Sequence, residues 1–237
     1  MPIYTLKLIN RREVARDTLL FYFEKPANFS FTPGQYGGFT LINPPETDKG
    51  GITRRFSLLS TPTDPHIAIA TRAQTSAYKR VLNALPLGSD IKFAGPTGQF
   101  ILHEDSKIPA VMIAGGIGIT PFYSIIRHAV QQHSKQALYL FYGNQSREDA
   151  AFLDELMELE KQHAPFKLIN TLVKPEVNWQ GESGFITHTL LKKYIPDLHQ
   201  PIYYICGSPA MVTALHETLT DMEIPEDKIK VEDFPGY

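Results

Sequence analysis

Hydrophobic and polar positions follow two different rhythms along this 237-residue chain. Up to about residue 104 the rhythm is short: Tyr4, Leu6 and Leu8 alternate with Thr5, Lys7 and Ile9, the period of a strand with one buried face. Similar β-rich runs cover 3–9, 18–24, 35–42, 53–60, 66–72 and 90–94. Turn signals separate them, among them Pro33-Gly34, Asn43-Pro44-Pro45 and Lys49-Gly50-Gly51. Six short strands so punctuated predict an antiparallel β-barrel. A single helix is predicted at 76–85, where Tyr78, Val81, Leu82 and Leu85 fall at helical spacing.

From about residue 107 the rhythm lengthens and strands alternate with helices. Apolar runs at 110–114, 137–142, 167–173, 202–206 and 228–231 predict strands. A helix is predicted to start at Pro121, with Phe122, Ile125, Ile126, Ala129 and Val130 on one face. Ser146 to Asp149 reads as a capping box for a helix carrying Phe152, Leu153, Leu156 and Met157. Another helix is expected at 209–222. Repeated βα units predict a doubly wound α/β parallel sheet. The chain therefore divides near the polar connection 103–108, into a barrel domain at 1–104 and an α/β domain at 105–237.

Composition narrows the function classes. A net charge of -2, with 20% charged residues, gives no bulk attraction to nucleic acid or to an anionic membrane. Cys206 is the one cysteine, so neither an internal disulfide nor an iron–sulfur cluster is expected. The eight histidines show no zinc spacing, and no protein-bound metal is predicted. The first residues lack the basic start and apolar core of a signal peptide, and no run approaches the ~18 apolar residues of a membrane helix. A cytoplasmic protein without membrane insertion is the expectation.

Three constellations carry candidate chemistry. Gly115, Gly116 and Gly118, followed by Thr120 and Pro121, sit at the carboxyl end of a strand and open a helix. Glycines there let backbone amides approach a pyrophosphate, and a helix N-terminus offers free N–H groups to negative charge. Thr120 adds a hydroxyl donor, and Pro121 suits the first helical position. The pattern also fits a tight βα turn without a ligand. Arg54 and Phe56 share one strand face, with Ser57 on the other or at a bend. A guanidinium, an aromatic ring and a hydroxyl can grip a phosphate, stack on a planar ring and bond a ring nitrogen. A surface arginine beside a core phenylalanine explains the same residues. Cys206 and Gly207, before Ser208 and Pro209, mark a second strand-to-helix junction, where a ligand contact or a buried structural thiol both fit.

With Pro33-Gly34-Gln35-Tyr36 upstream and Gly95-Pro96-Thr97-Gly98-Gln99-Phe100 between them, these motifs stand in an order that resembles the ferredoxin–NADP reductase superfamily over essentially the whole chain. The resemblance implies a flavin-binding barrel followed by a nucleotide-binding α/β domain. Arg54 would hold a flavin phosphate, Phe56 would stack on the isoalloxazine, and Ser57 would hydrogen-bond flavin N5. The family usually has tyrosine where Phe56 stands. Ser76 would hold the FAD pyrophosphate, aided by Arg72, Thr75 and Lys79, although the family's glycine before that serine is absent and Thr75-Ser76 also fits a plain N-cap. Gly115, Gly116, Gly118, Thr120 and Pro121 would bind the nicotinamide dinucleotide, with Cys206 and Gly207 against the nicotinamide. Glu232 and Phe234 would stand by the flavin, and Tyr237 would either cover it or fray.

The implied activity is hydride transfer from NADH or NADPH to FAD N5, tuned by Ser57, Cys206 and Glu232, with electrons passing to a separate acceptor protein. A free-flavin reductase and a non-catalytic nucleotide-binding regulatory subunit are the alternatives. FAD against FMN stays open, and a monomer is expected. NADH against NADPH also stays open: Lys174 and Arg147 are available for a 2′-phosphate, and Trp179 with Gly181 and Gly184 resembles a family loop near that site without discriminating.

Overall fold

A computed structural model describes residues 2–73 and 76–234. Its first half contains β1 (Ile3–Ala15), β2 (Thr18–Glu24), β3 (Tyr36–Leu41), β4 (Thr53–Ser57), β5 (His66–Arg72), α1 (Ala77–Ala84) and β6 (Asp90–Thr97). The strands form one antiparallel sheet in the order β4-β3-β6-β1-β2-β5. β1 runs further than its alternation predicts. It pairs with β6 over Ile3–Lys7 and with β2 over Leu8–Ala15, and the second ladder has register shifts between Leu8 and Asn10 and between Glu13 and Ala15.

The expected barrel does not close strand to strand, because the edge strands β4 and β5 share no ladder. The chain just after β4 bridges the gap instead. Leu59 N–H donates to the Ala68 carbonyl at 2.8 Å, and Ala68 N–H donates to Ser60 Oγ at 3.0 Å. Aromatic rings fill the interior: Phe39 lies 5.4 Å from Phe23, 4.9 Å from Phe93 and 5.8 Å from Phe56. Helix α1 plugs one end, its Tyr78 hydroxyl donating to the Phe39 carbonyl at 2.9 Å.

The second half contains β7 (Ala110–Gly115), α2 (Ile119–Gln131), β8 (Leu138–Asn144), α3 (Leu153–Gln162), β9 (Phe166–Leu172), β10 (Glu182–Ser183), α4 (His188–Tyr194), β11 (Ile202–Gly207), α5 (Pro209–Asp221) and β12 (Ile229–Asp233). All neighbours are parallel, in the order β10-β9-β8-β7-β11-β12. One face packs Met112, Leu140 and Tyr142 on Phe122, Ile125 and Leu156, and the other packs Ile113, Phe141 and Ile205 on Leu191, Val212 and Leu215. Helices on both faces explain why these strands read as continuous apolar runs rather than alternating ones.

Three local expectations are corrected. Helix α2 starts at Ile119 after a tight turn over Gly116–Gly118, so Pro121 is the third helical residue, still within the first turn where no N–H partner is lost. The capping box of Ser146 and Asp149 closes a separate short turn, Arg147–Asp149, and α3 starts only at Leu153, after Phe152 turns left-handed at φ 61°. β10 and α4 lie where no element was predicted.

The halves share one core. Leu20, Leu59 and Phe100 from the first pack with Phe122 and Ile125 from the second. Ser124 Oγ donates to the Ser60 carbonyl at 2.6 Å, Arg127 pairs with Asp64 at 2.7 Å, and Arg16 pairs with Asp149 at 2.9 Å. These bonds fix how the open side of the barrel faces the carboxyl ends of β7 and β11.

Candidate functional site

Strand β4 puts Arg54 and Phe56 on one half-buried face and buries Ser57 on the other, as its alternation requires. Phe56 is wedged against Tyr78 at 5.9 Å, and the Arg54 guanidinium lies 5.2 Å over the same Tyr78 ring. Beside this strand opens a cavity of about 730 Å³. Its walls include Arg54, Phe56 and Ser57 from β4, Arg72 from the end of β5, and Ser76 with Lys79 from α1. The second half contributes Thr120, Glu232 and Phe234.

Three polar atoms on that wall are buried and have no hydrogen-bond partner: Ser57 Oγ, Arg72 Nε and Glu232 Oε2. An unsatisfied buried polar group costs roughly 1–3 kcal/mol. Three around one cavity point to a polar ligand that satisfies them. Burial, and secondarily the neighbouring Asp233, raises the Glu232 carboxyl to about 7.

A second cavity of about 490 Å³ opens at the carboxyl ends of β7, β8 and β11. Gly115, Gly116, Asn144, Phe185 and Met211 line it, and Asn144 Oδ1 is buried without a partner. Arg72 lines both cavities, so they adjoin at its side chain. The glycines of the loop have separate reasons. Gly116 is left-handed at φ +51° and approaches Arg72, whose Nη2 would lie 3.3 Å from an added Cβ. An added Cβ at Gly118 would lie 2.2 Å from the Cys206 carbonyl oxygen, and one at Gly115 would lie 2.1 Å from Met211 Sδ. Gly118 therefore lets the two strand-to-helix loops touch. No side chain caps the start of α2, and its first turn holds no acidic residue.

Four candidates stand off both cavities. Gly118, Pro121, Cys206 and Gly207 line neither. Cys206 is fully buried, and burial, then Glu232 and Asp233, pushes its thiol well above the ordinary range. Thr120 reaches the first cavity, but its hydroxyl donates to the Ile117 carbonyl at 3.1 Å, within its own loop. Arg147 and Lys174 line neither cavity, and Arg147 pairs with Asp154 at 2.6 Å and Glu176 at 4.0 Å. Thr75 and Tyr237 lie outside the described residues.

Two groups went unread in the sequence. Asn144 ends β8 at the ligand-bearing edge of the sheet, so its strand position was an available signal. Asp48 gave none. It sits in the loop before β4 and holds Arg54 at 2.9 Å, while Arg54 Nη1 donates to the Gly51 and Thr53 carbonyls at 3.0 and 2.9 Å.

The profile of the oxidoreductase NAD-binding domain matches residues 112–217, which span β7 to α5. Over this segment the chain matches that domain family, and its whole fold is that of a ferredoxin–NADP reductase. It is 28% identical over 218 residues to the reductase component of propane 2-monooxygenase from Rhodococcus jostii, covering 89% of this chain and 57% of that protein. It is 30% identical over 223 residues to one component of the Na(+)-translocating NADH-quinone reductase from Yersinia pseudotuberculosis, covering 92% of this chain and 52% of that one. The chain thus spans about half the length of these curated relatives. In fold it is similar to a ferredoxin NADP+ reductase from Neisseria gonorrhoeae solved with bound FAD and NADP, at a TM-score of 0.82 and 21% identity over 99% of each chain. Among the described residues, no cluster of side chains suits a metal ion, and no helix is long and apolar enough to cross a membrane.

Proposed function

We propose that this chain is a flavoprotein reductase of the ferredoxin–NADP reductase superfamily that moves a hydride from a reduced nicotinamide dinucleotide onto FAD and delivers electrons to a separate acceptor protein. The observation that carries the reading is the junction at Arg72, where a cavity walled by unpartnered Ser57 and Glu232 meets a cavity behind an uncapped glycine loop. Hydride transfer needs its two rings ~3–3.5 Å apart, which two adjoining cavities permit. A bound flavin supplies the ring that accepts the hydride and afterwards gives up the electrons.

The chain's own groups have separable tasks in this reading. Phe56, braced by Phe39 and Tyr78, offers a flat apolar wall. Ser57 Oγ, 4% of the residue exposed, is positioned to hydrogen-bond a polar ring atom without first breaking a bond of its own. Glu232, with its carboxyl near 7, can hold or release a proton beside the reacting centre at neutral pH. Phe234 is anchored through its N–H to the Gly207 carbonyl at 3.0 Å and shields the cavity from water. Cys206 shapes the junction through its backbone against Gly118. Residues 1–104 serve the flavin and 105–237 the dinucleotide, in a cytoplasmic monomer.

NADH is the preferred donor in this reading. Among the described residues, Arg72 is the one charged side chain lining the second cavity, and it stands at the junction end, which leaves no cation there dedicated to a 2′-phosphate. The free-flavin reductase reading draws support from the Asp48–Arg54 pair, which competes with a flavin phosphate. Anaerobic mixing of the FAD-loaded chain with NADH and then NADPH tests the proposal. Bleaching of the flavin by NADH, faster than by NADPH, is expected. Flavin that binds yet is bleached by neither donor would leave only a nucleotide-binding role.

A further inference from the structure

We propose that Asp48 is a built-in phosphate mimic, a carboxylate seated on the flavin-phosphate position that sets which flavins the chain accepts. The inference rests on the flavin reading above and names a specificity residue within it.

Two groups in the barrel are suited to an anion: the Arg54 guanidinium and the N-terminus of α1, whose first residue is Ala77. Both are already joined by one carboxylate. Asp48 Oδ1 accepts from Arg54 Nη2 at 2.9 Å, and Asp48 Oδ2 accepts from Ala77 N–H at 2.9 Å. Gly50 N–H adds a third bond to Oδ1 at 2.9 Å. Three donors converging on two oxygens from a strand, a helix end and a loop make the arrangement a phosphate group would seek. Burial pushes the Asp48 carboxyl up, but the Ala77 and Gly50 amides and the Arg54 guanidinium outweigh it, and the group lies below the ordinary carboxylate range. It is charged throughout the neutral range.

The loop that carries Asp48 is fastened in place. Glu46 pairs with Arg80 of α1 through two bonds of 3.0 and 2.6 Å. Gly50 lies so close to the guanidinium that an added Cβ would come 2.3 Å from Arg54 Nη2. Gly50, Arg54, Ser76 and Lys79 all border the first cavity, so the mimic lies at its rim. A flavin bearing a phosphate must therefore displace Asp48 or bind beside a like charge, whereas riboflavin meets neither obstacle. A phosphomonoester carries ≈ -1.5 to -2 at neutral pH, and a carboxylate ~4 Å away repels it even in bulk water. Removing the carboxylate should then favour the phosphorylated flavin by at least about tenfold.

The test is flavin binding, read as quenching of flavin fluorescence on titration with the full chain, using FMN and riboflavin, which differ by the phosphate alone. In Asp48→Asn the ratio of FMN to riboflavin affinity should rise at least about tenfold, and in Asp48→Glu, which keeps the charge, it should rise far less. A ratio unchanged in Asp48→Asn, or one that falls because Asp48 serves to aim Arg54, overturns the proposal. The unaltered chain gives a measurement independent of any variant's folding. It should bind riboflavin within about tenfold of FMN, and a larger preference for FMN contradicts the mimic. Failure to bind either flavin instead overturns the flavin reading itself, and the mimic falls with it.

Discussion

The two anion-suited places in this molecule are prepared in opposite ways. In the barrel, Arg54 and the start of α1 are already bonded to Asp48, and Ser76 caps the Lys79 amide. In the α/β half, the glycine turn before α2 has no side-chain cap and no acidic residue in its first turn. The first place is satisfied by the protein and must exchange partners to accept a phosphate. The second carries no such side-chain cap. Backbone geometry shapes the second: Gly116 holds a left-handed turn and Gly118 lets the loop press directly on the Cys206–Gly207 backbone. Two helix N-termini in one chain are therefore not prepared alike.

The largest expected effect breaks the open side of this comparison. Gly118→Ala forces a methyl group into backbone atoms of the facing loop, so it should lower stability by roughly 2–4 kcal/mol and abolish dinucleotide binding. Urea unfolding and NADH titration measure the two losses. A smaller change separates chemistry from packing at the junction. Ser57→Ala removes a buried hydroxyl that has no partner, so stability should hold or rise by up to about 1 kcal/mol while hydride transfer slows at least about tenfold. Loss of stability in step with rate would make Ser57 merely structural.

The Glu232 carboxyl gives a pH signature. Its pKa is raised in the folded chain, from an ordinary ~4.3 to about 7, so the native state binds more protons than the unfolded chain between those values. Stability should therefore fall as pH rises through that window and level off above it. Glu232→Gln should flatten the fall and remove any inflection near 7 in the rate of flavin reduction. Equilibrium unfolding from pH 4 to 8 reads the first, and stopped-flow absorbance reads the second. The smallest effect is at Cys206: Cys206→Ala should leave the rate within about threefold and lower stability by about 1–2 kcal/mol, because a fully buried thiol with a raised pKa is packing. A rate loss of a hundredfold would restore a chemical role to the sulfur.

Much of the fold was legible because periodicity reports burial. The strands over 18–24 and 66–72 appear at the predicted bounds, and Pro26 and Pro65 stand just outside two of their four ends. The misses have physical causes. β10 has two residues, too few for any period, and α4 has seven, about two turns. The start of α3 depends on a left-handed Phe152, a conformation that its residue type does not advertise. At the site, the motifs named Ser57, Arg72 and Glu232, but their convergence on one cavity depends on how β4, β5 and β12 are aimed by two different sheets. Asp48 was invisible because a loop aspartate before a strand usually serves a turn, and only the fold brings it to Arg54 and Ala77 together.

In the proposed function, the adjoining of the two cavities at Arg72 is what would let the molecule act as a reductase rather than as a pair of binding sites. A crystal structure of the chain with FAD and NAD+ bound together tests this directly. The account predicts the flavin ring beside Phe56 and Ser57, the dinucleotide over Gly116, and the two rings close enough at Arg72 and Glu232 for the nicotinamide to meet the flavin face. Ligands seated in both cavities with their rings held apart by an intact Arg72 wall would contradict it.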